Sequence, residues 1–325
     1  DIAKDIIEVC PKALWLQYVN PMCSNMIAIN KKFPEIKSIG LCHSVQGTAE
    51  MLAKDLNEDI SNINFTCAGI NHMAFFLKFE KKQNGSNIDL YPKLKTLADE
   101  IVSDKKISSR SENIHYESNK ILHEKVRYEI LRRFGYFVTE SSEHFAEYVP
   151  WFIKNNRDDI IKKYNIPIDE YIDRCEHHVK TWQELEKDVT PLKNEPLKLS
   201  HEYASYIIDA VTNNKSITVN ANLMNNNLIN NLPSNCCVEV PCLINSDGYK
   251  PQKVGNLPEQ LSALIRTNIN VQILTAEAAT TKKREHIYHA AMLDPLAAST
   301  LSIDEIYLMT DELIDAHKEY LPKYN

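Results

Sequence analysis

A cysteine and two histidines in the first quarter of the sequence are side chains that could hold a metal ion. Cys42 and His43 are adjacent in GLCHSVQGTAEMLAKDL, where a predicted strand gives way to a helical pattern, and His72 follows in AGINHMAFF. A thiolate and an imidazole can bind Mn, Fe, Co or Zn and leave positions open for a substrate. A lone cysteine at a strand end and a lone histidine in an apolar turn are more often packing residues, so both interpretations stay open.

Two further groups of polar side chains could act together with this pair. Asn20 follows a predicted strand, and the stretch Tyr136–Tyr148, which includes Glu143 and His144, is rich in aromatic and acidic residues. In open α/β sheets, ligands bind beyond the carboxyl ends of the strands, and Asn20 and Cys42 both occupy that edge. An asparagine before a proline is usually only a turn residue. Neither group therefore identifies a site by itself.

The elements that must position these residues begin with an α/β pattern. ALWLQYV and IKSIGLC are short apolar runs typical of buried strands, and MCSNMIAINKKF between them has helical periodicity. This order predicts a βαβ unit within a parallel sheet. NFTCAGI and MAFFLKFEKK predict two further strands with a turn at Ile70–His72. SITVNANLMNNNLINNLPSNCCVEVPCLINSDGYKP predicts two or three more strands, and the region 257–321 predicts almost only helices.

The middle of the chain predicts a mixture of helices and irregular segments. IHYESNKILHEKVRYEILRRF has helical periodicity, and Gly135 is well placed to end that helix. A short helix is predicted at Tyr91–Val102, within what otherwise resembles surface loop. The segment YFVTESSEHFAEYVPWF, by contrast, is predicted to be irregular.

Composition and charge exclude several classes of protein. The 325 residues carry a net charge of −7, which argues against a general nucleic-acid-binding role. No apolar run approaches the roughly 20 residues that span a bilayer, and the N-terminal residues do not resemble a signal peptide. The 8 cysteines lack the regular spacing of a disulfide framework. We therefore expect a cytoplasmic protein with neither nucleic acid nor membrane as a partner.

Five segments resemble glycoside hydrolase family 4, and most of all its bacterial α-galactosidase (melibiase) branch. In chain order these segments are KALWLQYVNP, IKSIGLCHSVQGTAEMLA, AGINHMAFF, GYFVTESSEHFAEYVPWF and HAAMLDPLAA. The resemblance covers essentially the whole chain. It implies hydrolysis of melibiose-type α-galactosides with NAD and Mn²⁺ as cofactors, by a homodimer or homotetramer. Met26 departs from the family motif, which usually has Thr or Ala there.

The same resemblance implies a fold and a division into domains. Residues 1–41 would be the C-terminal remnant of a Rossmann-type dinucleotide-binding domain with a parallel sheet. Residues 42–325 would form a larger α+β catalytic and oligomerisation domain of the lactate/malate dehydrogenase-like C-terminal type. Family members carry a Gly-rich turn after their first strand, and this sequence has none. Because that turn and the following helix receive the cofactor's pyrophosphate, we expect the chain to bind NAD poorly or not at all.

Roles for the early polar residues follow from the family match. Cys42 and His72 would be the protein ligands of the metal, with substrate oxygens completing its coordination. Asn20 would contact the cofactor and hydrogen-bond a sugar hydroxyl. His43 would be either the general acid or a contact to the sugar.

The family's redox-assisted elimination also needs a base. In that scheme the C3 hydroxyl of the sugar is oxidised, a base removes the C2 hydrogen, and the glycosidic oxygen then leaves C1. Tyr136 is the first candidate for the base, and Glu143 and His144, which are also predicted substrate contacts, are its rivals. A free tyrosine has a pKa near ~10, so a cation would have to lower it.

The substrate's charge and the competing functions can also be considered from the sequence. A sugar phosphate would need several convergent cations, and the predicted site segments contain no compact basic cluster, although Arg127, Arg132 and Arg133 lie on a neighbouring helix. An unphosphorylated galactoside is therefore favoured. Two alternatives remain: an oxidoreductase of the lactate or malate dehydrogenase type, and a catalytically inactive, truncated family member.

Overall fold

One mixed sheet carries the residues singled out by the sequence. The computed structural model describes residues 1–109, 124–187 and 202–325, and within them nine strands form this sheet. The strands are β1 Trp15–Gln17, β2 Ser38–Gly40, β3 Ile63–Ile70, β4 Met73–Gln83, β5 Ser86–Asp89, β6 Phe137–Val138, β7 Ile217–Met224, β8 Cys237–Asn245 and β9 Gly248–Pro251. The helices are α1 Ile2–Val9, α2 Met22–Lys32, α3 Ser44–Asp55, α4 Tyr91–Val102, α5 Lys125–Phe134, α6 Ser142–Tyr148, α7 Asp158–Tyr164, α8 Glu170–Lys187, α9 Tyr203–Thr212, α10 Glu259–Thr281, α11 Glu285–Leu293, α12 Pro295–Thr300 and α13 Ile303–Ala316.

The first two strands form the predicted βαβ unit. β1 pairs with β2 in parallel, with Trp15 opposite Ser38, and α2 connects them. Gly40, at the end of β2, lies where α2 and β7 meet. A Cβ atom at this position would be 2.5 Å from the sulfur of Met22 and 2.9 Å from the Cβ of Asn222, so glycine permits this close approach.

The remaining strands continue the same sheet in antiparallel fashion. The order is β1-β2-β7-β8-β3-β4-β5, and β6 and β9 pair with β4 and β8 respectively. β2 meets β7 at Gly40 and Asn222, so the strands of residues 1–41 and those of the later chain share one sheet. The predicted α/β class, with a parallel remnant followed by an α+β portion, is confirmed. The domain boundary at residue 41 stays a prediction.

Helices cover the sheet on both faces. Neighbouring side chains of β4 show this, because they pack into different apolar clusters. Phe75 and Phe76 are both fully buried, but they belong to different apolar clusters. Phe75 packs with residues of α2, α5, α6 and α10, whereas Phe76 packs with residues of α3 and α4. Successive side chains of a strand point to opposite faces, so β4 is buried on both sides.

Most of the predicted elements are present. The turn between β3 and β4 consists of Asn71 and His72, and His72 has a left-handed φ of 65°. The last part of the chain forms α10 to α13, as predicted. Of the helix predicted in IHYESNKILHEKVRYEILRRF, the described portion is α5, which ends at Gly135 with φ 84°. Residues 114–123 of that prediction lie outside the described residues.

The prediction of an irregular segment after Gly135 was wrong. β6 pairs with β4, and α6 follows directly. The side chain of Ser141 caps α6 by accepting a hydrogen bond from the backbone N–H of His144. A serine three residues before the bonded amide is a sequence signal for a helix start, and the aromatic and acidic composition concealed it. None of the helices in the described ranges is long and apolar enough to cross a membrane.

Candidate active site

Cys42, His72 and Glu140 form a cluster of three side chains that could ligate a metal ion. One ligand atom from each residue lies within 4.8 Å of the ligand atoms of the other two. Cys42 lies between β2 and α3, His72 occupies the β3–β4 turn, and Glu140 follows β6. The structure thus brings together the two predicted ligands, and it adds a carboxylate that the sequence analysis had not selected.

Strand pairing explains how Glu140 reaches this position. Val138 of β6 lies opposite Phe75 of β4, and the N–H of Thr139 donates to the carbonyl of Ala74 at 2.8 Å. The next residue, Glu140, has a left-handed φ of 67°, and its Oε2 lies 3.5 Å from Nε2 of His72. The register of two short strands therefore places a carboxylate beside the turn histidine.

Tyr148 holds the other side of the His72 ring. The Tyr148 hydroxyl lies 2.9 Å from Nδ1 of His72, while Nε2 faces Glu140. If Nδ1 carries the proton and donates it to the hydroxyl oxygen, Nε2 keeps the lone pair that a metal needs. Tyr148 was missed by sequence reasoning, because only the packing of α6 against the hairpin brings it to the ring.

The charge states of the cluster suit a cation. Burial, reinforced by Glu140 and Glu239, raises the pKa of the Cys42 thiol to about 12. Burial also lowers the pKa of His72, although Glu140 opposes this shift. Burial acts to raise the pKa of Glu140, but the neighbouring histidines, His72 first, outweigh it and the net pKa falls. Burial thus favours the neutral imidazole of His72 and the protonated thiol of Cys42, whereas positive charge on the surrounding residues favours the ionised carboxylate of Glu140.

One oxygen of the cluster supports the fit of a metal. Oε2 of Glu140 is buried and accepts no hydrogen bond from the described part of the chain. A buried carboxylate oxygen without a donor is costly unless a cation compensates it. Thiolate, imidazole and carboxylate are all accepted ligands of divalent transition metals, and the metal itself would favour loss of the thiol proton. The residues present therefore fit a divalent ion.

A cavity of about 680 Å³ opens beside the cluster. It is called the His72 cavity here, and His72, His144, Tyr148, Asn20 and Asn71 are among the residues that line it. The volume falls within the usual range for small-molecule sites, so a mono- or disaccharide can be accommodated.

Two residues that line this cavity each have a buried side-chain polar atom without a protein partner within the described ranges. These atoms are Nδ2 of Asn71 and Oε1 of Gln272. An amide donor and an amide acceptor can satisfy sugar hydroxyls, which both donate and accept hydrogen bonds. Asn71 immediately precedes His72, so its place in the turn was the available sequence signal. Gln272 lies within α10 and had none.

Asn20 and His144, two of the predicted substrate contacts, also line the His72 cavity. The side-chain oxygen of Asn20 accepts from the backbone N–H of Met22 at 3.1 Å, which fixes the turn after β1. Nδ1 of His144 lies 2.8 Å from the hydroxyl of Ser141. The His144 ring stands edge-on to the His72 ring, with 5.4 Å between the centroids.

His43 and Glu143 lie near the cluster but are not among the residues that line the cavity. Nδ1 of His43 lies 3.4 Å from a carboxylate oxygen of Glu202, and the ring is 43% exposed. Glu143 is buried, and burial followed by repulsion from Glu124 raises its pKa. Their predicted contacts with substrate remain predictions.

Tyr136 is placed away from the cluster. It lines a separate cavity of about 320 Å³, and its ring packs on Tyr91 with 5.8 Å between centroids. The structure does not bring Tyr136 to the His72 cavity, so its predicted role as the base lacks geometric support.

The three arginines considered at the sequence level do not line the His72 cavity either. Arg127 is fully buried and donates from Nε to Glu124 at 2.8 Å. Arg132 and Arg133 both bind Glu129. Each guanidinium already has a carboxylate partner, so these arginines do not form a phosphate site beside His72.

Two protein-family models together match most of the chain. The family 4 glycosyl hydrolase model matches residues 1–58, and the model of the family 4 glycosyl hydrolase C-terminal domain matches residues 67–297. The chain belongs to glycoside hydrolase family 4. The first match covers β1, β2 and Cys42, and the second covers His72 and Glu140.

Curated relatives in this family include two α-galactosidases. The chain is 44% identical to the α-galactosidase of Bacillus subtilis (strain 168) over 324 residues, which are 100% of this chain and 70% of that protein. It is 31% identical to the α-galactosidase of Rhizobium meliloti (strain 1021) over 340 residues, with 100% of this chain and 64% of that protein covered. The chain is thus shorter than these family members.

Solved family structures confirm the fold. A putative glucosidase, lplD, from Bacillus subtilis superposes with a TM-score of 0.83 at 23% identity, covering 96% of this chain and 71% of that one. A 6-phospho-α-glucosidase from gut microorganisms, in complex with NAD and Mn²⁺, superposes with a TM-score of 0.78 at 17% identity, covering 100% and 72%. The family fold is therefore confirmed for this glycosidase chain.

Proposed function

We propose that this chain is the catalytic part of an α-galactosidase that requires NAD and Mn²⁺ and hydrolyses melibiose-type α-galactosides. The observation that supports it most is the Cys42–His72–Glu140 cluster beside the His72 cavity, in a chain 44% identical to an α-galactosidase. We also propose a cytoplasmic homodimer or homotetramer. Family membership favours this function over a simple lactate or malate dehydrogenase-like oxidoreductase.

The metal would be held by Cys42 and His72, with Glu140 as the neighbouring carboxylate. When bound, a divalent ion supplies Lewis-acid stabilisation of negative charge on substrate oxygens, which is worth several kcal/mol. Tyr148 orients the His72 ring, so that Nε2 stays directed toward the cluster.

The substrate would be bound by the amide groups of the cavity wall. Asn71 offers a donor and Gln272 an acceptor, and neither atom has a partner among the described residues. These groups would orient the sugar by hydrogen bonds to its hydroxyls, at little cost because they are otherwise unsatisfied.

Proton transfer is assigned to His144. It lines the cavity, its Nδ1 is engaged by Ser141, and its second ring nitrogen is available to exchange a proton with substrate. We place His144 ahead of Tyr136 as the C2 base for this geometric reason. His43 is retained as a sugar contact or acid, and Glu143 as a substrate contact.

NAD, when bound, supplies the hydride acceptor. Asn20, at the end of β1, is the residue that we propose contacts it. The sequence contains no Gly-rich pyrophosphate turn, so this chain's own residues do not fit that part of the cofactor.

One assay tests the proposed α-galactosidase activity. The purified chain is incubated with 4-nitrophenyl α-galactoside, NAD⁺, Mn²⁺ and a reductant, and each component is omitted in turn. Hydrolysis that requires all of them, and that Cys42→Ser abolishes, supports the active α-galactosidase. Absence of hydrolysis, while a longer homologue is active under the same conditions, contradicts the proposal. Hydrolysis that is indifferent to Mn²⁺ and NAD⁺ also contradicts it.

A further inference from the structure

The His72 cavity contains an arginine whose charge is cancelled within its own helix. Arg174 and Tyr171, both on α8, line this cavity. Nε and Nη2 of Arg174 donate to the two carboxylate oxygens of Glu170, at 3.1 and 2.6 Å. Glu170 lies one helical turn earlier, so the backbone of α8 holds the two partners together.

Arg174 is the single Lys or Arg side chain among the described residues that line this cavity. The lining also includes one carboxylate, Asp294, which is committed elsewhere: its Oδ1 accepts from the backbone N–H of Ala297 at 2.8 Å and caps α12. Apart from the proposed metal ion, the charge that a ligand meets in the cavity wall therefore depends on whether Arg174 is neutralised.

The ion pair between Glu170 and Arg174 is partly shielded from water. The side chain of Glu170 is 11% exposed and that of Arg174 is 26% exposed. A third group, Glu147, is close enough to respond to both. Burial raises the pKa of Glu147 and Glu170 adds to that effect, whereas His144, and then Arg174, oppose it. Partly buried charges are screened by salt much less than exposed ones, so this arrangement affects any charged ligand that enters.

We propose that Glu170 is a specificity-determining residue that makes the cavity select neutral glycosides and reject anionic ones. This inference rests on the proposed α-galactosidase function and names the charge class of its substrate. A guanidinium without a partner binds a sugar carboxylate in bidentate fashion. With Glu170 in place, an incoming carboxylate must displace an existing one and is repelled by it. The remaining N–H groups of Arg174 still donate to neutral hydroxyls, so discrimination arises from a repulsive element.

The inference is tested by binding rather than by turnover. Calorimetry with Mn²⁺ present measures the dissociation constants of D-galactose and D-galacturonate for the wild-type chain and for Glu170→Gln. Glutamine keeps the size of the side chain and removes the charge. We expect Glu170→Gln to strengthen the binding of galacturonate relative to that of galactose by roughly tenfold or more. The double variant Glu170→Gln/Arg174→Gln should lose that gain, because the freed guanidinium is then absent.

A matched control removes the same charge elsewhere on α8. Glu176 is exposed, and Glu176→Gln should leave the ratio at its wild-type value. If the wild-type chain binds galactose and Glu170→Gln still rejects galacturonate, the role of Glu170 is overturned while the proposed function stands. A gain that persists in the double variant also overturns it. Failure of the wild-type chain to bind galactose at all contradicts the proposed function, and this inference with it.

Discussion

Nδ1 of His72 lies 2.9 Å from the hydroxyl of Tyr148, and the two ring nitrogens of this imidazole therefore have different partners. The opposite nitrogen, Nε2, lies 3.5 Å from Glu140. A hydrogen bond that fixes one ring nitrogen sets the tautomer and orientation of a metal-binding histidine. The relationship makes Tyr148 part of the proposed metal site, although it is not itself a proposed ligand.

Tyr148→Phe should weaken divalent metal binding without unfolding the chain. Loss of such an orienting partner typically costs about 10- to 100-fold in metal affinity. Titration with Co²⁺, followed by absorbance, measures this affinity. Tyr288→Phe is the control, since Tyr288 bonds Asp311 in the C-terminal helices. Equal Co²⁺ affinities for wild type and Tyr148→Phe would show that the hydroxyl does not orient the ligand.

Glu140→Gln should also weaken metal binding, because it removes the negative charge from the cluster while keeping the side chain's size. We expect roughly a tenfold loss of affinity or more, measured by the fraction of free Mn²⁺ in electron paramagnetic resonance. Glu143→Gln is a matched control: Glu143 is also buried and lies on the same segment, but it is outside the cluster. Unchanged Mn²⁺ affinity in Glu140→Gln would restrict the protein ligands to Cys42 and His72.

How much of this site the sequence predicts depends on strand register. Cys42 and His72 were candidates because each stands where a predicted strand ends, and the family resemblance then implied that they are the metal ligands. Glu140 was not a candidate, since TESSEH offers two glutamates and nothing in their spacing distinguishes Glu140 from Glu143. Strand pairing places Glu140 in the cluster, because the pairing of Val138 in β6 with Phe75 directs the following residues toward the β3–β4 turn. Two-residue strands have too little periodicity to be predicted from sequence.

In the fold, too, local sequence patterns predicted the elements but not the contacts that depend on tertiary packing. The βαβ unit and the β3–β4 hairpin were predictable because apolar runs are separated by clear turn residues. Tyr136 was selected for the opposite reason, since the family resemblance, and no local pattern, indicated it as the base. Its ring instead lines another cavity with Tyr91. Tyr148 reaches His72 only through the packing of α6, which no local pattern encodes.

Substitutions of His144 and Tyr136 should affect the proton-transfer step differently. His144→Gln should slow exchange of the substrate's C2 hydrogen with solvent, by roughly 100-fold if it is the general base. Tyr136→Phe should leave the exchange rate unchanged, because Tyr136 lies outside the His72 cavity. Exchange is followed by NMR in deuterated buffer. The reverse result, a slow Tyr136→Phe and a normal His144→Gln, would return the base role to Tyr136.

Glu239 should make stability fall with rising pH. It is fully buried, and burial, with repulsion from Glu140, raises its pKa from 4.5 to about 8, although Asn222 partly opposes this. Between these values the folded state keeps a proton that the unfolded state releases. The free energy of unfolding therefore decreases as pH rises from 4.5 toward 8.

Glu239→Gln should flatten that dependence and raise the free energy of unfolding at pH values near ~8, because glutamine cannot ionise. Urea unfolding of both proteins at mildly acidic and mildly alkaline pH checks this. A wild-type chain that becomes more stable toward alkaline pH, or a variant with the same slope, would be inconsistent with a protonated Glu239 in the folded state.

The most direct test of the central claim is a crystal of the chain grown with Mn²⁺ and a reductant, with anomalous diffraction recorded at the manganese edge. We predict one anomalous peak within bonding distance of Sγ of Cys42 and Nε2 of His72, and its loss in Cys42→Ser. A well-ordered cluster with no peak, or a peak bound by other residues, would contradict the account.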